Sequence, residues 1–326
     1  MAKTSMESNM TRPSAVAVAA GLLLSALSLA SQASAASKDM RGVGAQPELA
    51  ITFDDLPSHS DLPPGDTRVE IADRIISTLK ATGAPPIYGF VNGVRQIDDP
   101  ASTPVLAAWR AAGFPLGNHT WSHMNLNTNS LEAFERDVLR GEPVLRQQMG
   151  DADWHWLRFP FLSEGDTPAK RLGVRAFLAS QGYRIAGVTM SFGDYAFNGP
   201  YARCVAKGDQ TAISGLKTAY LAAADDEITR SRSMSKTLYG RDIPYVLLMH
   251  IGALDSRMLP QLLHLYRRRG FRLITLQQAE QDLFYAQDLD PSSAATPDSL
   301  EGVMASRGLA QPKAAADLAS LDGVCR

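Results

Sequence analysis

Between residues 48 and 276 the chain alternates short apolar runs with longer amphipathic stretches, and most of the amphipathic stretches stop at a glycine. The apolar runs are residues 49–53, 86–91, 115–117, 156–161, 185–190, 245–249 and 272–276. Their length and their β-branched and aromatic content suit buried strands. Residues 67–82, 103–112, 131–149, 169–181, 211–238 and 259–269 are spaced as helices, and Gly83, Gly113, Gly150, Gly182 and Gly270 follow as helix-ending glycines. Alternating strands and helices imply a parallel sheet, because each strand needs a long crossover to return to the starting edge. Seven strands separated by helices predict an α/β fold built as a barrel; a doubly wound open sheet is the alternative.

Residues 1–35 read as a secretory signal. Lys3 and Arg12 form a basic start, residues 15–30 are uncharged and rich in Ala and Leu, and Ala33-Ser34-Ala35 fits a small-residue cleavage site. The apolar run is shorter than the ~20 residues that span a bilayer, so cleavage before Ala36 and export to a periplasmic or extracellular space are expected, without stable membrane insertion. The two cysteines of the chain, Cys204 and Cys325, lie far from that site, which excludes a lipid anchor there. In an exported chain they are expected to form one disulfide, the other reading being two unpaired thiols. Residues 36–47 read as a disordered linker, 48–286 as one folded domain, and 287–326, rich in Ala, Ser and Pro, as a tail packed on it. A formal net charge of −2 is not a nucleic-acid-binding balance.

The chemistry collects where predicted strands end. Asp54 and Asp55 close the first apolar run, and neighbouring carboxylates repel unless a cation relieves them. His119 and His123 follow the third run; on a helical turn, residues four apart share a face, as two imidazoles on one metal do. Two histidines and one of the aspartates make an open site of the kind that suits zinc. Arg158 ends the fourth run and is suited to hold a carboxylate ionised, with Pro160 fixing the backbone beside it. His250 ends the sixth. Isolated, each of these has an ordinary structural explanation, but parallel barrels assemble active sites from the C-terminal ends of several strands.

These residues resemble the five motifs of the polysaccharide deacetylases, also called the NodB homology domain or carbohydrate esterase family four. The matching segments are Thr52-Phe53-Asp54-Asp55, His119-Thr120-Trp121-Ser122-His123, Arg158-Phe159-Pro160-Phe161, Asp194-Tyr195 and Leu247-Leu248-Met249-His250. The resemblance implies a distorted (β/α) barrel of about seven parallel strands, a divalent metal, often zinc, and removal of acetyl groups from carbohydrate. It makes Asp55, His119 and His123 the metal ligands, Asp54 the general base held by Arg158, and His250 the general acid. A backbone N–H near Phe161 would stabilise the oxyanion. Two motifs depart from the family. Phe161 stands where Tyr is usual. In the fourth motif Ser191 replaces the Asp expected to tune the acid histidine, so Asp194 is its provisional substitute and Tyr195 an aromatic wall of the substrate cleft.

Of the other histidines, His264 and His155 read as structural, and His59, in the loop after the first strand, as a residue within reach of substrate. Other functions for such a chain are hydrolysis of a small non-sugar amide and metal-stabilised glycan binding without catalysis. The second of these predicts loss of the base or the acid, and both residues are present.

Overall fold

Strand β1 (Glu48–Leu56) is buried along nearly its whole length because it has neighbours on both edges. The computed structural model describes residues 46–287, 290, 292–293, 299–313 and 318–326. The signal reading of residues 1–35, most of the linker reading and part of the tail fall outside these.

β1 is flanked by β2 (Tyr88–Val91) and by β6 (Tyr245–His250), while β7 (Arg272–Ile274) pairs with its first residues, Glu48 to Ala50. Beyond β2 come β3 (Leu116–Asn118), β4 (Trp156–Leu157) and β5 (Arg184–Ile185), every pairing parallel. After β5 the chain leaves β4 and crosses to β6. There Thr189 N and Met190 N both donate to Val246 O at 3.1 Å, and Leu248 N donates to Met190 O at 3.1 Å. The sheet therefore curls back on its first edge as a distorted (β/α) barrel, and the doubly wound alternative is excluded.

Helices α1 (Arg68–Ala81), α2 (Pro104–Ala111), α3 (Leu131–Met149) and α4 (Pro168–Ser180) fill the crossovers. Thr67 starts α1 as a capping box, its hydroxyl accepting from Glu70 N while Thr67 N donates to the Glu70 carboxylate. The crossover from β5 to β6 carries α5 (Tyr195–Lys207) and the 30-residue α6 (Gln210–Tyr239); α7 (Ala253–Arg268) then returns the chain to β7. Among the described residues no helix is long and apolar enough to cross a membrane.

The sequence reading needs three corrections. The fourth and fifth runs form strands of only two residues, and residues 158–161 and 186–189 pass through turns and irregular backbone. Helix α5 lies in a stretch assigned above to neither a strand nor a helix, where Asn198-Gly199-Pro200 resembles a turn. Helix α7 begins at Ala253, six residues before the predicted start, and runs through Pro260. In all three places packing against buried neighbours overrides local propensity.

Cys204 and Cys325 are joined across a separation of 121 residues. This holds residues 318–326 against α5, where Arg203 also donates to the carbonyls of Asp322 and Val324. Leu318 packs where Gly193 has no side chain; a Cβ there would meet it at 2.3 Å. A further helix, α8 (Leu300–Ser306), packs on α6.

Candidate active site and metal centre

The carboxyl ends of β1, β3, β4 and β6 open into one cleft of about 540 Å³, lined among others by Asp54, Asp55, His119, His123, Phe161 and His250. The backbone around it is unusual. Asp55, Thr120, His123, Phe161 and Leu162 all have positive φ without being glycine, between 53° and 64°. Such conformations cost free energy and persist where surrounding contacts over-determine them, most often at functional sites.

In β1 the register shifts between Phe53 and Leu56, and Asp55 sits inside the irregularity. The shift turns Asp54 and Asp55 to different tasks. Asp54 is buried and faces Arg158, whose Nη1 donates to both carboxylate oxygens at 3.1 and 3.3 Å. Asp55 faces the histidines, with Oδ1 3.6 Å from His119 Nε2 and 3.4 Å from His123 Nε2.

The two histidines do not share a helical turn, as their spacing suggested. After β3 the chain turns through Thr120 (φ 64°) and reaches His123 (φ 58°) in a loop. Asn118 Oδ1 accepts from Thr120 N at 2.8 Å, Ser122 donates from N and Oγ to the Asp137 carboxylate, and Met124 N donates to Thr120 Oγ1. The histidines converge through side-chain bonds that fix an irregular loop, which helical periodicity cannot describe.

Arg158 is fully buried and satisfied on every side. Besides Asp54 it donates from Nε to Ala186 O at 2.8 Å and from Nη2 to Thr52 Oγ1 and Gly187 O, and its guanidinium lies 4.8 Å from the Phe90 ring centroid. Its own carbonyl accepts from His119 Nδ1 at 2.7 Å. Because a carbonyl only accepts, Nδ1 carries a proton, which leaves Nε2 as the ring nitrogen able to offer a lone pair toward Asp55.

At the end of β6, beside Asp54 in the register, His250 is bonded twice by Asp194, which accepts from its backbone N at 2.6 Å and from Nδ1 at 3.1 Å. Burial alone would make the His250 imidazole easier to deprotonate; the Asp194 charge and hydrogen bond outweigh it, with help from Asp55 and Asp54, and raise its pKa to about 10. Ser191, which stands where the family has its tuning Asp, lines the cleft. Phe161 packs edge-on against His123 at 4.4 Å, and Tyr195 against His250 at 5.5 Å. At 64% and 50% exposed, their rings are accessible to solvent at either side of the cleft.

His59 also lines the cleft, and its Nδ1 is 2.8 Å from Asp55 Oδ2, a bond the sequence reading did not anticipate. The signal available was its position four residues after Asp55. His155 and His264 are not among the residues lining this cleft.

The ligand set suits a divalent metal. One atom each from Asp55, His119 and His123 lie within 4.8 Å of one another. Burial, reinforced by His119, lowers the His123 pKa to about 4, so its ring is neutral near pH 7. Burial would raise the Asp55 pKa, yet the His59 hydrogen bond and the charge of His250 hold it well below the usual carboxylate range. A carboxylate oxygen faced by a lone pair of His119 is a meeting of acceptors, and a cation among them turns repulsion into coordination.

Residues 41–177 match the family model described as polysaccharide deacetylase. No curated protein sequence matches the chain at a significant level. Among solved structures, a mutant carbohydrate esterase family-four pseudoenzyme with restored enzymatic activity aligns with a TM-score of 0.51 at 14% identity, over 73% of this chain and 69% of that one. The wild-type pseudoenzyme from Bacillus anthracis aligns at 0.50 and 13% identity, over 79% and 70%. The chitin deacetylase from the fungal pathogen Colletotrichum lindemuthianum is 21% identical over 73% and 89%, with a TM-score of 0.48. The first two likenesses are of fold alone.

The matched segment, residues 41–177, contains Asp54, Asp55, His119, His123 and Arg158, so this part of the barrel is similar to the polysaccharide deacetylase family.

Proposed function

We propose that the protein is an exported, metal-dependent hydrolase that removes acetyl groups from a carbohydrate, an N-acetylated amino-sugar polymer in preference to an O-acetyl ester. The observation that carries this reading is that a base and an acid stand in register at the ends of two neighbouring strands, Asp54 on β1 and His250 on β6, beside one ligand set. Asp54, ion-paired with Arg158, lies 3.7 Å from His119, and His250, its register partner, is paired with Asp194.

A divalent metal at Asp55, His119 and His123, zinc on the preference of such ligands, would supply a Lewis acid and an acidified water. Asp54 takes the proton of the attacking water, since Arg158 holds and aims its carboxylate. The Phe161 N–H, at a turn with φ 57°, donates to the acetyl oxygen as it gains negative charge. His250 has Nδ1 occupied by Asp194, which leaves Nε2–H to protonate the departing amine or alkoxide. Phe161 and Tyr195 offer apolar faces to sugar rings. The presence of base and acid together argues against a glycan-binding protein without catalysis. Hydrolysis of a small non-sugar amide would use the same residues.

Acetate release from acetylated glycans tests the proposal: purified protein with defined zinc content is given chitin oligomers, peptidoglycan and acetylated xylan. Release from an N-acetylated polymer supports it. Acetate from the xylan alone would place the enzyme among the esterases, and hydrolysis confined to small amides would overturn the carbohydrate assignment. Export is tested by the N-terminus of the secreted protein, expected at Ala36; an intact Lys3 would refute cleavage.

A further inference from the structure

We propose that His59 is a positioning residue for Asp55: by fixing one oxygen of this carboxylate it presents the other to His119 and His123. The inference rests on reading those three residues as the metal centre.

A carboxylate can only accept, so the 2.8 Å contact means that His59 Nδ1 donates to Asp55 Oδ2. The oxygen left over, Oδ1, is the one 3.6 and 3.4 Å from the two histidine Nε2 atoms. Asp55 sits on a left-handed backbone inside a strand irregularity, where regular sheet pairing does not fix its side chain. A hydrogen bond to Oδ2 supplies the missing constraint.

The loop carrying His59 is itself pinned. Arg68, the first residue of α1, donates from Nη1 to His59 O at 2.8 Å, from Nη2 to Ser60 O at 2.7 Å, and from Nε to Asp99 at 3.0 Å. The imidazole lies against His250, ring centroids 4.8 Å apart. Its second nitrogen, Nε2, is buried without a hydrogen-bond partner among the described residues. Leaving a buried polar atom unmatched costs stability, so packing alone does not account for a histidine here; its one side-chain hydrogen bond is to Asp55. Outer partners of metal-binding carboxylates set orientation, and removing one typically costs ~10–100-fold in metal affinity.

The experiment measures zinc affinity by competition with a chromophoric chelator in wild type, His59→Ala, His59→Asn and His59→Gln, with thermal unfolding of the metal-free proteins alongside. His59→Ala is expected to weaken zinc ~10–100-fold. His59→Asn places an amide N–H near the position of Nδ1 and should recover most of the affinity. His59→Gln extends its amide toward the position of Nε2 and should behave like alanine. If wild type binds zinc and His59→Ala binds it equally well, the positioning role is overturned while the metal centre stands. Equal weakening in Asn and Gln variants would also overturn it, by showing that ring volume alone matters. Should the alanine variant fail to fold, the Asn and Gln pair decides alone. Wild type that takes up no zinc or other divalent ion would instead refute the metal reading itself.

Discussion

Arg158 and Asp54 form a buried ion pair, the guanidinium fully buried and the carboxylate nearly so, open only toward the cleft. Two charges in such a place hold together only when their remaining hydrogen-bonding capacity is met, and here Thr52, Ala186 and Gly187 meet it. Arg158→Met strands Asp54 and should destabilise the fold by about 3–5 kcal/mol, read by chemical denaturation, and abolish turnover. Metal affinity should survive if the variant folds, because His119 is held by the Arg158 main chain. Loss of metal binding in a folded variant would refute this division of labour.

The two adjacent aspartates should fail in opposite ways. Asp54→Asn leaves the ligand set in place and removes the base, so metal content should stay near wild type while turnover drops ~10²–10⁴-fold. Asp55→Asn exchanges an anionic ligand for a neutral one; metal content should fall first, with part of the activity returning in excess metal. Elemental analysis beside turnover distinguishes them, and the reversed pattern would exchange their roles.

His250 links stability to alkaline pH. Its folded pKa, about 10, lies above the ordinary histidine value of 6.5. Over that interval the folded state binds more protons than the unfolded state, so the His250–Asp194 interaction contributes fully below pH 6.5 and fades as pH rises through about 10. Metal-free wild type should lose stability across this window, by several kcal/mol in order of magnitude. Asp194→Asn should be less stable at pH 6 and nearly insensitive to pH over the window. Parallel curves for the two proteins would contradict the coupling.

Glu227, on α6 away from the cleft, shows the opposite linkage. Burial raises its carboxyl to about 7, against partial relief from Ser231 and Arg230. A carboxylate with a raised folded pKa destabilises the fold as pH climbs from 4.5 to 7. Glu227→Gln should remove the penalty and raise the unfolding free energy at pH 8 by up to roughly 3 kcal/mol, with little change at pH 4. Denaturant titrations at the two pH values check it.

Opening the link between Cys204 and Cys325 frees a long loop, for which chain entropy predicts a loss of ~4–5 kcal/mol. Reduced protein should melt lower. Leu318 packs beside Gly193, one residue before Asp194, so the alkaline behaviour of His250 should soften with it. An unchanged melting temperature under reductant would show that the remaining contacts suffice.

The residues of the cleft were readable from sequence because each stands at the end of a run whose burial is written in its composition: Asp54 after Ile51 and Phe53, His250 after Val246 to Met249. Their geometry was less readable. His119 and His123 meet through a loop shaped by Asn118 and Asp137, side chains whose effect depends on tertiary contacts. Helix α5 hid behind Gly199 and Pro200, and its burial against α6 and α7 decides its form. His59 was visible as a loop histidine, but its bond to Asp55 follows from the left-handed turn at Asp55, which sequence does not announce.

The seam where the chain passes from β4 to β6 makes room for the buried arginine. Arg158 rests on the carbonyls of Ala186 and Gly187, and Gly187 N–H is taken by the Glu280 carboxylate instead of a neighbouring strand. In an unbroken wall, lateral pairing would claim those groups. A redesign that mended the seam by extending β5 to Met190 would gain ladder hydrogen bonds and evict the guanidinium from its seat. The irregularity that looks like an unfinished barrel is therefore the socket into which the guanidinium beside Asp54 is plugged.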